Sequence, residues 1–237
     1  MTMGATRKVV LFVVEGPSDE AALGGLLGRV FDSNVVKFDV VHGDLFTSCR
    51  SPEKNRDHVR SEIVKHLSSG NRGYKWMDIC RIVLLCDSDG VFVPDDCIFL
   101  SENGKLQYGL NSITAKDPDN IAKRNERKRK ALRKLVAVDG ITYRKRTIPL
   151  QVLYLSRNLE HALSDRIDFC TDGEKKLLAH RFALKYKNDI DGFKRFLEEE
   201  IGVPGNYHET WDYLAVGTHS LERCSNLSLV FKHSIES

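Results

Sequence analysis

KVVLFVVEGPSDEAALGGLL, residues 8–27, decides how the chain is read. Six apolar residues, Val9 to Val14, run without interruption into Glu15-Gly16, and Asp19-Glu20 then opens the helical pattern AALGGLLGRVF. A short run that is apolar at every position is the pattern of a strand covered on both faces. Acidic residues at the following helix start suit the helix dipole. The carboxylate at the strand tip is less easily explained, because an unpaired one there loses solvation. Glu15 either marks where the strand reaches water or is placed to hold something.

Three further stretches carry the same strand signature: 35–41 (VVKFDVV), 79–86 (ICRIVLLC) and about 148–155 (IPLQVLYL). Helical patterns lie between them. Residues 53–68 place Val59, Ile63 and Leu67 on one face, and 117–137 begins with DPDN, a good cap and first turn. The alternation predicts an α/β fold, a Rossmann-like parallel sheet of about four strands. Residues near 90–116 read as an insertion, with a hairpin turned by Asn103-Gly104. Beyond residue 156 the pattern becomes helical, at roughly 158–165, 173–187, 191–200 and 208–216. The expected division is a core of 1–157 and a helical C-terminal part, 158–237, packed on it.

Composition sets bounds. The chain has 237 residues, 41% hydrophobic and 29% charged, as in ordinary globular proteins. It contains no run of the roughly 20 apolar residues that a membrane helix needs. The basic pair before the first apolar run lacks a following cleavage site, so a core strand is favoured over a signal peptide. Six cysteines without a C-x-x-C pair argue against a thiolate zinc site and fit a reduced, cytoplasmic protein. Cys86, beside two aspartates, reads as a small buried hydrophobe. The net charge of +3 is modest, but KRNERKRKALRK at 123–134 concentrates eight basic residues against Glu126 alone.

A second acidic strand end answers the question Glu15 raises. The third strand runs RIVLLCDSDG, so Asp87 and Asp89 follow its carboxyl end at i, i+2, a spacing that puts two side chains of an extended segment on one side. Ligand sites in open parallel sheets form outside the carboxyl ends of the strands. If the first and third strands are neighbours, Glu15, Asp87 and Asp89 share a rim. Such carboxylates raise one another's pKa unless a cation sits among them, and hard oxygen donors at an open site suit Mg2+ or Mn2+.

VVEGPSDEAAL followed by VLLCDSDG resembles the TOPRIM domain of topoisomerases, bacterial primases, OLD-type nucleases and RecR mediators, over roughly residues 8–157. The resemblance implies that Asp87 and Asp89 hold a divalent cation against a phosphodiester. Glu15 would be the general acid/base or a further ligand, and Gly16 would let the backbone turn beneath the substrate. Asp44, in the turn after the second strand, is an accessory candidate at the same rim. Asp19 and Glu20 serve either as helix-start acids or as a second metal site.

The chain is short for a topoisomerase gate, and its cysteine spacing does not fit a primase or RecR zinc module. That leaves a Mg2+- or Mn2+-dependent nuclease acting on DNA or RNA, alone or with a partner such as an ATPase. The alternative is a non-catalytic scaffold that grips nucleic acid or a partner protein. LYLSRNLEHAL (153–163) and WDYLAVGTHSLERCSNL (211–227) are similar to segments of small stand-alone TOPRIM-like proteins of prokaryotic defence and abortive infection. In that reading Asn158 and Glu160 reach the rim, and Ser220, Arg223 and Asn226 share one face of a terminal helix. Their other reading is a helix cap for Asn158 and a surface helix for the rest, and His161 reads as a helix-face residue. Lys123, Arg124, Arg127, Lys128, Arg129 and Arg133 of the basic helix are the candidate nucleic-acid contacts, although the basic residues fall all around it.

Overall fold

Alternate residues of β1 (Val9–Val14) face two separate cores. Val9, Leu11 and Val13 join one hydrophobic cluster, Val10, Phe12 and Val14 the other, and none is more than 1% exposed. This two-sided burial is why the strand is apolar at every position. In the computed structural model, which describes residues 9–31, 36–40, 55–69, 73–167 and 170–232, β1 belongs to a mostly parallel five-stranded sheet. With β2 (Val36–Val40), β3 (Ile79–Asp87), β7 (Gly140–Tyr143) and β8 (Arg146–Leu155), the order is β2-β1-β3-β8-β7. The first four strands are parallel, so their carboxyl ends share one rim. β1 and β3 are neighbours, with Val14 paired to Leu85.

Helices cover both faces. On one side α1 (Pro17–Phe31) contributes Ala22, Leu23, Leu26 and Leu27, and α5 (Asp172–Tyr186) adds Ala179, Phe182 and Tyr186. On the other lie α2 (Asn55–Ser69), α3 (Pro118–Val136) and α7 (Tyr207–Leu214), with Val59, Ile63, Leu132, Leu135 and Trp211 inward. The short helices α4 (Leu159–Ser164) and α6 (Ile190–Arg195) connect the C-terminal elements. Among the described residues, no helix is long and apolar enough to cross a membrane.

Three features differ from the sequence reading. The sheet gains β7, an antiparallel edge strand joined to β8 by Arg144-Lys145, both in left-handed backbone (φ 47° and 66°). Hairpin turns of that shape favour Asn and Gly, so this pair gave no turn signal. Residues 98–115 form a separate three-stranded sheet, β4 (Ile98–Leu100), β6 (Ile113–Ala115) and β5 (Gln107–Tyr108) in that order. Asn103-Gly104 does turn the chain, but β4 and β5 do not pair, because β6 lies between them. The expected terminal helix through Ser220, Arg223 and Asn226 is instead two 3-10 turns, His219–Leu221 and Leu227–Phe231, with Ser225 bridged to both Leu155 and Gly202. These polar side chains bind backbone and core groups. Ser220 Oγ accepts from the Phe92 N–H, Asn226 Oδ1 accepts from the Tyr154 N–H, and Arg223 Nε donates to Ala162 O.

Candidate active site at the carboxyl ends of the strands

β3 ends at Asp87, and the Ser88 N–H extends the ladder by donating to Leu155 O at 2.9 Å. The backbone then reverses. Asp89 and Gly90 both have left-handed φ (49° and 62°), and the Val91 N–H donates to Ser88 O at 2.9 Å. Two such residues in succession are the mark of a type I′ turn, which Asp and Gly tolerate better than most. Asp87 and Asp89 are therefore not alternate positions of one extended strand, as the i, i+2 spacing suggested. Asp87 stays at the strand tip, and the turn carries Asp89 round.

The turn is fastened from α3 in front and the C-terminal segment behind. Arg124 Nη2 donates to Asp89 O (3.1 Å), Asn125 Nδ2 to Gly90 O (3.4 Å) and Lys128 Nζ to Asp89 Oδ2 (2.7 Å). Behind it the Asp89 N–H donates to Arg157 O (2.8 Å), and the Arg157 N–H donates to Ser88 Oγ (2.9 Å). Arg157, itself in left-handed backbone, donates from Nε to Leu221 O and from Nη2 to Gly109 O, tying the turn to the C-terminal segment and the small sheet. Gly90 is required here, since a Cβ would lie 2.8 Å from Leu221 Cδ2.

Lys128 is fully buried, and its ammonium also lies 4.0 Å from Glu15 Oε1. It therefore sits among the rim carboxylates rather than on a solvent face. The inward stripe of α3 runs Asn125, Lys128, Leu132, Leu135, at i, i+3, i+7 and i+10. Followed back from the two leucines, that stripe is the signal that would have separated Lys128 from its basic neighbours.

Burial and the neighbouring charges act together on Asp87. Burial, then Glu15, Asp19 and Asp89, push its carboxyl well above the usual carboxylate range, and Lys128 only partly offsets them. Burial also raises Asp19 to about 6, with Glu160 adding to the shift; the Gly16 N–H, which donates to its Oδ2 at 2.8 Å, and Lys175 oppose it. Asp19 thus belongs to the rim as much as to the helix start. Within the chain itself, a Cβ on Gly16 would meet only Asp19 Oδ2, at 3.8 Å.

Glu15, Asp19 and Asp89 therefore all act on Asp87 electrostatically. Glu160, 5% exposed, acts on Asp19 electrostatically, and Asn158 caps α4 by accepting from the His161 N–H at 2.9 Å. Asp44 lies outside the described residues. Of the basic candidates, Lys123, Arg127 and Arg133 are exposed on α3, Arg129 pairs with Asp95 at 3.3 Å, and Arg124 and Lys128 turn inward. Cys86 is buried in the sheet core. Among the described residues, no three His, Cys, Asp or Glu side chains are already gathered as a metal centre. Compared with family models, curated proteins and solved structures, the chain matches none.

Proposed function

We propose that this chain is a TOPRIM-like phosphodiester hydrolase that acts on nucleic acid with Mg2+ or Mn2+. The observation that carries the reading is that Asp87 ends a strand at the carboxyl rim of a parallel sheet and is acted on electrostatically by Glu15, Asp19 and Asp89. Carboxylates within electrostatic reach of one another resist ionising together, and a hard divalent cation relieves that more completely than one ammonium does. The donor set fits such an ion, being all oxygen. Glu15, Asp19 and Asp87 would hold it, with Glu160 within electrostatic reach of Asp19. When bound, it supplies charge neutralisation to phosphate oxygens and lowers the pKa of a water.

The remaining roles fall to the chain itself. Glu15 accepts the proton of the attacking water. Lys128, anchored by Asp89, brings a desolvated positive charge to the place where negative charge grows on the phosphate. Asp89 orients Lys128, and Arg124 and Asn125 hold the turn that presents Asp89. The exposed Lys123, Arg127 and Arg133 attract the backbone further along the strand. A defence or abortive-infection setting, and an ATPase partner, rest only on the resemblance of the C-terminal segments.

The test is cleavage of a panel of DNA and RNA with Mg2+ or Mn2+, comparing wild type with Asp87→Asn. We expect cutting that requires the metal and falls at least about a hundredfold in the variant. Metal-independent cutting, or a variant as active as wild type, overturns the reading. One observation favours the scaffold as a second reading: Lys128 already balances part of the acidic charge without a metal. A scaffold binds nucleic acid and cuts none under any metal.

A further inference from the structure

A cleft of about 1140 Å³ opens between the small sheet and the α4–α5 region. Tyr108 lies on one wall, its hydroxyl accepting from Arg124 Nη1 at 3.3 Å, and Arg124 in turn holds Asp89 O. Glu160 lies on the other wall and acts on Asp19 electrostatically. The cleft is thus bounded at both sides by residues that act on the acidic rim.

The lining discriminates among polymers. Lys105 and Lys175 offer two cations, Leu106 and Ile167 offer apolar surface, and Gln107 and Asn158 carry both donors and acceptors. Cations beside apolar and amide groups suit a sugar-phosphate chain whose bases are unstacked and face the wall. Glu160 adds a specific demand. It is 5% exposed, and within the described residues its carboxylate has no hydrogen-bond or ion-pair partner. A carboxylate oxygen is a hydrogen-bond acceptor, so it suits a ligand donor: a base amino group or a sugar hydroxyl. In a duplex the base faces are stacked on one another and could not meet Leu106 or Ile167.

We infer that this cleft binds single-stranded nucleic acid, DNA or RNA, and feeds it to the acidic rim. The inference deepens the proposed function and rests on it for the fate of the strand, but strand binding itself needs no metal. The test is fluorescence anisotropy of a dye-labelled single-stranded DNA, the same sequence as RNA, and the corresponding duplex, all in EDTA. Wild type is compared with Lys105→Glu/Lys175→Glu, and melting curves confirm that both are folded. Wild type should hold at least one single strand about tenfold more tightly than the duplex, and the double variant should lose about tenfold in that affinity. The DNA and RNA arms identify the sugar.

Equal affinity for duplex and single strand overturns the inference. So does a folded double variant that binds like wild type, or a wild type that binds no strand. Should the variant not fold, photocrosslinking of a 4-thiouracil- or 4-thiothymine-bearing strand to wild type decides: adducts are expected within 105–114, 158–167 or 170–175, and adducts only on α3 contradict it. Manganese titration of the same protein separates the two failures. Metal binding without strand binding sinks the cleft and leaves the proposed site, and strand binding in the cleft without metal binding does the reverse.

Discussion

Lys128 Nζ lies 2.7 Å from Asp89 Oδ2, with the lysine buried and the aspartate side chain 30% exposed. A cation from the basic helix α3 is thus committed to the acidic rim. The same ammonium reaches toward Glu15, so one residue links the two strand ends that the sequence singles out.

Removing that ammonium leaves partly buried carboxylates without their cation. Lys128→Met should cost about 2–3 kcal/mol of stability in EDTA, below the figure for a fully buried pair because Asp89 is partly exposed. Added Mn2+ should recover part of the loss. Chemical denaturation with and without Mn2+ measures both, and a variant as stable as wild type in EDTA would contradict the proposed balance of charge.

The raised Asp19 carboxyl makes metal-free stability pH-dependent. Its pKa rises from 3.8 to about 6 on folding, mainly through burial, so the folded state binds the proton more tightly. Its contribution is complete below pH 3.8 and is lost as pH rises through about 6, an effect of roughly 1–3 kcal/mol. His161 acts in the opposite sense. Burial, then Arg157, lower its pKa to about 4, so its contribution is present above 6.5 and lost as pH falls through about 4. The informative quantity is therefore the difference between wild type and Asp19→Asn, measured in EDTA across this range. The variant should gain stability relative to wild type as pH rises, and parallel curves would refute the assignment.

Gly90 meets two constraints together, a φ of 62° and a side chain 2.8 Å from where its Cβ would stand. Gly90→Ala should destabilise by roughly 2–3 kcal/mol and displace the Asp89 turn. Gly16→Ala has ordinary space around its Cβ and should change stability by less than about 1 kcal/mol. Thermal unfolding of the two variants tests the contrast.

The exposed arginines and lysines of α3 should act through long-range charge alone. Replacing Lys123, Arg127 and Arg133 by Ala should weaken nucleic-acid binding and flatten its salt dependence, by about 0.7 in slope for each single-strand phosphate that is no longer neutralised. Binding measured at several salt concentrations gives the slope. An unchanged slope would remove these residues from the interface.

The four parallel strands were legible because each is a short apolar run covered on both faces, and β1 shows that most plainly. β7 was not, because Arg144-Lys145 adopts a turn that its side chains do not announce. The small sheet was misread because a good local turn at Asn103-Gly104 does not decide which strand becomes the neighbour; the partner, β6, comes later in the chain. The rim acids were legible as residues, but not the way they are held. The left-handed Asp89 depends on Arg124, Asn125 and Arg157, whose hydrogen bonds span 35 to 68 positions of sequence and leave no local mark. Lys128 was hidden in a run of like charges, although the stripe leading back from Leu135 and Leu132 contained it.

The most direct measurement is a titration of the purified chain with Mn2+, followed by electron paramagnetic resonance, for wild type and Asp87→Asn. If the strand-end carboxylates form a cation site, wild type binds Mn2+ with saturable affinity and the variant loses it by about tenfold or more. Equal binding by the two proteins, or none by wild type, would contradict the central claim.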